Sequence, residues 1–206
     1  MSSMDTLANA AARLKATSRK RGRALPSLWL MTDALRLPDP LPAVRRLPRG
    51  AGVIVRHTEV KQRRRIGTLI AQICRQRGLT CVIAGDWRLA AALRTAGVHL
   101  SEAQARVGAN APARLWRRTR RCLFTMATHG RGGRRMQCAK PDAIILAPIF
   151  PTASHPGRPS LGPLRLARFT RATTAPVIAL GGITAANARK GERSGAAGIA
   201  AIGGLS

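Results

Sequence analysis

Two stretches of sequence decide the fold of this chain: DAIILAPIFPTASHPGRPSLG at residues 142–162 and PVIALGGIT at residues 176–184. In each of them, a short apolar run typical of a buried strand ends in a loop rich in Gly, Pro or Ser. Parallel α/β folds place their active sites in the loops that follow the carboxyl ends of strands. Gly181 and Gly182, followed by Thr184 as a helix cap, leave backbone N–H groups that can hold a phosphate. We therefore expect these loops to line a site for a phosphorylated ligand.

Apolar runs of strand length recur along the rest of the chain and alternate with segments of helical periodicity. The eight predicted strands cover residues 28–32, 52–56, 80–84, 97–100, 122–126, 143–147, 176–180 and 198–202. One strand roughly every 25 residues, with a helix between, is the repeat of a compact α/β barrel. We predict a (β/α)8 TIM barrel, and periodicity alone leaves a doubly wound open sheet as the alternative.

The helical segments carry their own start and stop signals. Apolar residues at helical spacing predict one helix that stops at Gly78 and a second that is capped by Asp86. A further helix is predicted to open at Thr184 and to end near Gly195.

The two ends of the chain are expected to differ from a standard barrel. Residues 1–25 are basic and Ser-rich, and we expect a flexible tail in which Leu7, Ala11 and Leu14 can line a short helix. Residues 26–206 are the predicted barrel domain. Only four residues follow Ile202, so we expect the barrel to lack its final helix.

The charge of the chain favours anionic partners. Thirty-six Lys and Arg against eight Asp and Glu give a net charge of +28. Aromatic residues make up only 3% of the chain, which disfavours stacking on unpaired bases, so we expect at most non-specific contact with nucleic acid. Neither a spanning apolar stretch nor a secretory leader is visible, and we expect a cytoplasmic protein without membrane contact.

Four blocks of sequence carry a resemblance to a known family. PIFPT (148–152), SHPG (154–157), ALGGI (179–183) and GVHL (97–100) resemble the thiamine phosphate synthase/TenI family, and the resemblance covers residues 27–203. These proteins are small (β/α)8 barrels that either join the two halves of thiamine phosphate or isomerise its thiazole carboxylate. The resemblance therefore implies thiamine biosynthesis, with phosphorylated thiazole and pyrimidine molecules as substrates. It leaves open whether the chain forms a homo-oligomer.

The resemblance also implies a pyrophosphate site and a metal site. Arg56 keeps the Arg of the family's Gln-x-Arg-x-Lys motif and is the expected clamp for pyrophosphate. Synthases of the family use Mg²⁺, and Asp86 keeps one of its carboxylate positions. The second carboxylate falls at Gln104, and Glu102 is the substitute nearby. We expect Mg²⁺ with an incomplete set of ligands.

The loop after the fifth strand is closer to the tautomerase branch of the family. The Ser-Thr-His-Ser of the synthases appears as Ala127, Thr128, His129 and Gly130. An imidazole here can move a proton within the thiazole ring, so His129 is the candidate general acid/base. His129 and Arg56 are the two candidate catalytic residues. A plain loop histidine is the alternative.

The remaining candidates are polar side chains and glycines at strand ends. The candidates for substrate binding are Thr128, Thr152, Ser154 and His155. The expected phosphate cradle is formed by Gly181, Gly182, Gly203 and Gly204. His99 is expected to be packed and hydrogen-bonded inside the barrel.

Three functions follow from these observations. The first is thiamine phosphate synthesis from hydroxymethylpyrimidine pyrophosphate and thiazole phosphate, with release of pyrophosphate. The second is a TenI-type thiazole tautomerase or an inactive paralogue, because the metal and pyrophosphate motifs are depleted. The third is a basic protein without enzymatic activity that binds nucleic acid through its Arg clusters. We favour the first.

Overall fold

Eight parallel strands close into a barrel in chain order, each hydrogen-bonded to the next and β8 to β1. The computed structural model describes residues 3–18, 25–57, 59–106, 116, 122–130, 140–152 and 159–202. The strands are β1 (Leu28–Met31), β2 (Gly52–Val55), β3 (Thr80–Ala84), β4 (Gly97–Leu100), β5 (Leu123–Thr128), β6 (Ala143–Leu146), β7 (Val177–Leu180) and β8 (Gly198–Ala201). The predicted strands are confirmed to within two residues at either end. The closed barrel excludes the open sheet.

Helices cover the outside of this barrel. They are α1 (Ser3–Ser18), α2 (Leu41–Arg46), α3 (Val60–Arg77), α4 (Trp87–Ala92), α5 (Glu102–Arg106), α6 (Gly162–Ala172) and the 3-10 helix Ala188–Ser194. Gly78 ends α3 as predicted, and the Asp86 carboxylate caps α4 by accepting from the Leu89 N–H at 2.9 Å. Among the described helices, none has the length and apolar character needed to cross a membrane.

The helix predicted to open at Thr184 is wrong in its start and its type. Residues 185–187 form a turn, and a 3-10 helix begins only at Ala188. The Asn187 side chain explains the late start, because its Oδ1 accepts from the Thr184 N–H at 2.9 Å and its Nδ2 donates to the Gly182 carbonyl at 2.7 Å. These two bonds from the Asn187 side chain hold residues 182–187 in a turn instead of a helix.

The register of the strands shows which side chains point into the barrel. Alternate side chains of a strand face the helices and the interior. Ile83 faces α3, because a Cβ placed on Gly67 of that helix would lie 3.7 Å from its Cδ1. Ala84 therefore points inward. Val82, two residues before Ala84 on the same strand, also points inward, and paired residues of neighbouring strands face the same side of the sheet. His99 on β4 pairs with Ala84 and Ile54 on β2 pairs with Val82, so both point into the barrel as well. We call these inward-facing residues the inward row.

Residues 3–18 form a packed helix, which corrects the expectation of a flexible tail for this part of residues 1–25. Helix α1 contacts β1, β8 and the 3-10 helix, and Leu7, Ala11 and Leu14 are at most 1% exposed. Their spacing builds an apolar stripe that must be covered, and the outer face of the barrel covers it. The predicted loss of the final helix concerns residues 203–206, which lie outside the described residues.

Truncating the stripe of α1 should destabilise the whole barrel. We expect Leu7→Ala to lower the free energy of unfolding by about 2–5 kcal/mol, because it leaves a cavity between α1 and the barrel. Asn9→Ala, at an exposed position of the same helix, is the matched control and should change it by less than about 0.5 kcal/mol. Urea unfolding measures both. Equal stability of the two variants would mean that α1 is a dispensable tail.

Candidate active site

The carboxyl ends of β1 and β2 bring an ion pair to the mouth of the barrel. Arg56 continues the inward row of Ile54, and its Nη2 donates to Oδ2 of Asp33. The same oxygen accepts from Nη2 of Arg36 at 2.9 Å, while Oδ1 accepts from the backbone N–H groups of Leu35 and Arg36 at 3.2 and 3.1 Å. The Asp33 side chain is 12% exposed and that of Arg56 is 46% exposed. A buried carboxylate thus anchors a half-exposed guanidinium.

The charge of Asp33 is secured by its neighbours. Burial alone would raise its pKa, but hydrogen bonds from the side chain and backbone of Arg36 and from Arg56, together with the charge of Arg36, hold the pKa well below its ordinary value. Sequence reasoning missed Asp33. The available signal was a carboxylate directly after β1, in a chain that has only eight carboxylate residues.

Behind Arg56, two buried polar side chains fix the end of β2. Thr32 Oγ1 accepts from the Arg56 N–H at 2.9 Å and lies 3.2 Å from His57 Nδ1. The direction of the bond between Thr32 and His57 depends on the tautomer of the imidazole. Burial lowers the pKa of His57; the Asp33 charge opposes this, and the charges of Arg56 and Arg63 add to it. By strand alternation His57 faces the helices, so it supports Arg56 from outside the mouth.

A carboxylate–imidazole pair joins the ends of β4 and β5. Glu102, the first residue of α5, accepts through Oε2 from the backbone N–H of His129 at 2.9 Å and contacts its Nδ1 at 2.6 Å. An ionised carboxylate can only accept, so Nδ1 carries a hydrogen and Nε2 is the nitrogen that can face a ligand. The side chain of Glu102 is 11% exposed and that of His129 is 51% exposed. Glu102, considered as a metal ligand from the sequence, thus orients His129.

Asp86 and Gln104, which the resemblance places at the expected metal site, make hydrogen bonds that cap helices. Asp86 uses Oδ1 to cap α4, and its Oδ2 lies 4.0 Å from Nη1 of Arg63. Gln104 forms a capping box with Ser101, with bonds of 3.0 Å from the Ser101 N–H and 3.3 Å to the Ser101 hydroxyl. Within the described ranges, no three His, Cys, Asp or Glu residues gather as metal ligands. These residues do not form a Mg²⁺ site by themselves, and Mg²⁺ stays a prediction.

The loops after β6 and β7 are in direct backbone contact at the same mouth. The Ile149 N–H donates to the Leu180 carbonyl at 2.9 Å, and the Phe150 N–H donates to the Gly181 carbonyl at 3.0 Å. Gly182 has a φ of +64°, and a Cβ on it would lie 2.3 Å from the Pro151 carbonyl oxygen. Glycine is therefore required here by backbone angle and by space.

Replacing Gly182 should separate these two loops. We expect Gly182→Ala to lower the free energy of unfolding by about 3 kcal/mol, from the cost of a left-handed backbone and from the clash. Gly50→Ala is the matched control, because φ is +81° there and nothing lies within 4 Å of the added Cβ. It should cost about 1 kcal/mol. Urea titrations of both variants test this, and equal costs would contradict the close contact of the loops.

The other predicted site residues divide into described and undescribed ones. Thr128 is buried, and its Oγ1 accepts from the Gly130 N–H at 3.2 Å, which shapes the loop that carries His129. Thr152 is half-buried after β6. Four predicted residues lie outside the described residues: Ser154, His155, Gly203 and Gly204.

The expectation for His99 is confirmed. It is 3% exposed, lies on the inward row and contacts Thr125 Oγ1 through Nδ1 at 2.9 Å. Burial, with a contribution from the charge of Arg56, lowers its pKa from 6.5 to about 4. His99 is therefore a neutral hydrogen-bonding residue beneath the mouth.

The low pKa of His99 predicts an acid-sensitive barrel. Between the folded pKa and the ordinary value the unfolded chain binds more protons, so stability is lost as the pH falls from about 6.5 towards 4. The loss attributable to His99 is about 3 kcal/mol. Urea unfolding at several pH values tests this, with His99→Asn as the non-titrating control. The dependence should be shallower in that variant, and an unchanged dependence would contradict the assignment.

Comparisons with known proteins match this chain to one family. The profile of the family described as thiamine monophosphate synthase matches residues 45–205. The thiamine-phosphate synthase of Chlorobium limicola is 31% identical over 192 residues, covering 88% of this chain and 86% of that protein. The one of Thiobacillus denitrificans is 29% identical over 151 residues, covering 71% and 69%. The solved thiamine phosphate pyrophosphorylase of Pyrococcus furiosus shares the fold, with a TM-score of 0.66 at 20% identity over 85% of each chain.

Proposed function

Because this chain belongs to the thiamine monophosphate synthase family, we propose that it is a transferase that makes thiamine phosphate. The bond between the methylene carbon of hydroxymethylpyrimidine pyrophosphate and its pyrophosphate oxygen breaks, and pyrophosphate leaves with the electron pair. The ring nitrogen of thiazole phosphate then forms a bond to that carbon. Both substrates are anions, which suits a chain with a net charge of +28.

The anchored guanidinium of Arg56 is the observation that carries this proposal. Negative charge grows on pyrophosphate as the bond breaks, so a cation fixed beside the leaving group stabilises the transition state more than the ground state. The bond to Asp33 fixes one side of the guanidinium, and the N–H groups of its half-exposed side can donate to two phosphate oxygens. Preorientation by Asp33 reduces the entropy lost when pyrophosphate binds.

The Glu102–His129 pair supplies a proton acceptor for the same reaction. Positive charge on the methylene carbon spreads into the pyrimidine ring and acidifies its exocyclic amino group. His129, held with Nδ1–H towards Glu102, presents Nε2 to take that proton as pyrophosphate leaves and to return it to the same amino group when the ring nitrogen bonds to the methylene carbon. Glu102 is then a positioning residue, since it acts through His129.

The backbone of the β6 and β7 loops is proposed to receive the phosphate of the thiazole. Gly181 and Gly182 keep the chain free of side chains where the two loops meet. Exposed backbone N–H groups at such turns bind phosphate oxygens without a formal charge. The Thr184 N–H is already taken by Asn187, so it is not counted among these donors.

Thiazole isomerisation is a second candidate, and the Glu102–His129 pair is the observation that favours it. Such a reaction needs a proton moved between two positions of the thiazole ring and has no use for a pyrophosphate clamp. The relatives reported above are named as synthases, so the transferase is preferred.

Complementation in a bacterium that lacks its own thiamine phosphate synthase tests the proposal. The wild-type chain should restore growth without added thiamine, and the Arg56→Ala variant should not. A chain that is expressed and folded but fails to restore growth would count against the transferase. Growth restored equally by both proteins would remove Arg56 from the mechanism.

A further inference from the structure

The end of the barrel opposite the mouth carries a cluster of arginines. Helices that follow parallel strands run back to the amino ends of the strands, so α2, α3 and α4 all finish at this end. Six arginines with exposed side chains lie at these helix ends and in the turns that follow them: Arg45, Arg46, Arg49, Arg75, Arg77 and Arg94. We refer to them as the basal arginine cluster.

Contacts between the turns make the cluster one continuous surface. Arg77 at the end of α3 donates from Nη2 to the Leu47 carbonyl after α2 at 3.3 Å. Arg75 donates from Nη1 to the Leu93 carbonyl after α4 at 3.1 Å. The first turn is also bonded to the end of α3, because the Gly50 N–H donates to the carbonyl of Gly78 at 3.1 Å. The three helix ends are therefore immediate neighbours.

No carboxylate faces this cluster from the helices that build it. Residues 41–97 contain twelve Lys and Arg but only two acidic residues, Glu59 and Asp86. Both lie at the mouth, where Glu59 accepts from the Lys61 N–H at 2.8 Å to cap α3 and Asp86 caps α4. Glu59 and Asp86 therefore cap the amino ends of α3 and α4, and the charged side chains at the carboxyl ends of α2, α3 and α4 are all positive.

Helix capping explains only part of this charge. Basic side chains at helix carboxyl ends are favourable because they neutralise unpaired carbonyl groups, and Arg75 and Arg77 have that role. Across the described part of the chain, Arg45, Arg46 and Arg49 make no ion pair with any carboxylate, and all three are exposed. These guanidinium groups remain available for an external anion.

We propose that the basal arginine cluster binds the phosphate backbone of a double-stranded nucleic acid. Guanidinium groups bind phosphate oxygens in pairs, and arginines spread over three helix ends suit a ligand whose charges are dense and regularly spaced, as they are along a duplex. In the described structure no aromatic side chain and no exposed large apolar side chain belongs to the cluster. Stacking on unpaired bases and insertion into a lipid bilayer therefore both lack an anchor.

The dimensions of the surface suit a duplex. Neighbouring helices are spaced by about 10 Å, so three helix ends span about 20 Å. A duplex of that length carries about twelve phosphate charges, and about half of them lie on the side that faces the protein, which is comparable to the number of arginines in the cluster. Contacts of this kind ignore the base sequence, and the affinity falls steeply with salt.

Fluorescence anisotropy with a labelled 24-base-pair DNA duplex, titrated with the full chain at several KCl concentrations, tests the proposal. The wild-type protein should bind with a slope of log affinity against log salt of about −4 or steeper. A variant with Arg45, Arg46, Arg49 and Arg94 all changed to Gln should bind about 10²- to 10³-fold more weakly at 150 mM KCl, with a correspondingly shallower slope.

The matched control removes the same number of charges from other faces. Arg64, Arg65, Arg165 and Arg168 are exposed on α3 and α6 before the last turns of these helices, and changing all four to Gln should weaken binding less than tenfold. Equal losses in the two variants would overturn the proposal, because net charge alone would then explain binding. Stronger binding of the wild type to vesicles of phosphatidylserine and phosphatidylcholine than to the duplex would also overturn it.

This inference stands apart from the proposed enzymatic function. The cluster and the mouth lie at opposite ends of the barrel, so the cluster variant should still make thiamine phosphate at the wild-type rate. Loss of duplex binding with retained synthesis is the expected pattern. Loss of both in a variant that melts at the wild-type temperature would place the cluster in the enzymatic function and contradict the proposal.

Discussion

Arg56→Ala should lower kcat/KM for thiamine phosphate formation by about 10²- to 10³-fold. The variant removes the cation that the structure fixes beside the mouth, where pyrophosphate is proposed to leave. The fold should survive, because Asp33 keeps its bonds to Arg36 and to two backbone N–H groups. Steady-state kinetics give the loss, and a urea titration shows whether stability has changed.

Two further variants sharpen this prediction. Arg56→Lys keeps the charge but loses the paired donors, so we expect an intermediate loss of about tenfold. Arg64→Ala removes an exposed arginine from the outer face of α3 and should leave the kinetics unchanged. A full loss in Arg64→Ala, or none in Arg56→Ala, would show that general charge rather than this clamp matters.

The second large effect is expected at the Glu102–His129 pair. His129→Ala should lower kcat by about 10²- to 10⁴-fold, because it removes the proposed proton acceptor. Glu102→Ala should cost about 10- to 100-fold, since the imidazole remains but loses its orientation. The two effects should not multiply, because Glu102 is proposed to act only through His129.

The double variant separates positioning from metal binding. Adding Glu102→Ala to His129→Ala should change kcat by less than about twofold. If Glu102 instead holds a metal, the losses would multiply and the variant would need more Mg²⁺ for half-maximal rate. Kinetics of the four proteins over a Mg²⁺ series distinguish these outcomes.

The sequence was sufficient for the barrel because its signals are local. Apolar runs of strand length, the stop at Gly78 and the cap at Asp86 depend on neighbouring residues, and each is found where it was predicted. The packing of α1 depends on a surface formed by β1 and β8, which are far apart in sequence. The spacing of Leu7 and Leu14 predicts an apolar stripe but cannot show what covers it.

The sequence predicted two residues of the site, Arg56 and His129, but it did not predict which carboxylates pair with them. Arg56 and His129 follow β2 and β5 as expected, but the partners that fix them, Asp33 and Glu102, come from other strand ends. A closed barrel brings these ends together, and single-sequence periodicity carries no information on which neighbours then meet. The same limit applies to Asn187, whose side chain replaces the predicted helix start with a turn.

Transferase activity is tested most directly by measuring both products of the purified wild-type protein. It is supplied with hydroxymethylpyrimidine pyrophosphate, thiazole phosphate and Mg²⁺, with thiamine phosphate read as fluorescent thiochrome and pyrophosphate by a coupled enzyme. We expect both products to appear at equal rates, and only when both substrates are present. Release of pyrophosphate without thiamine phosphate, or no product from a folded protein, would contradict it.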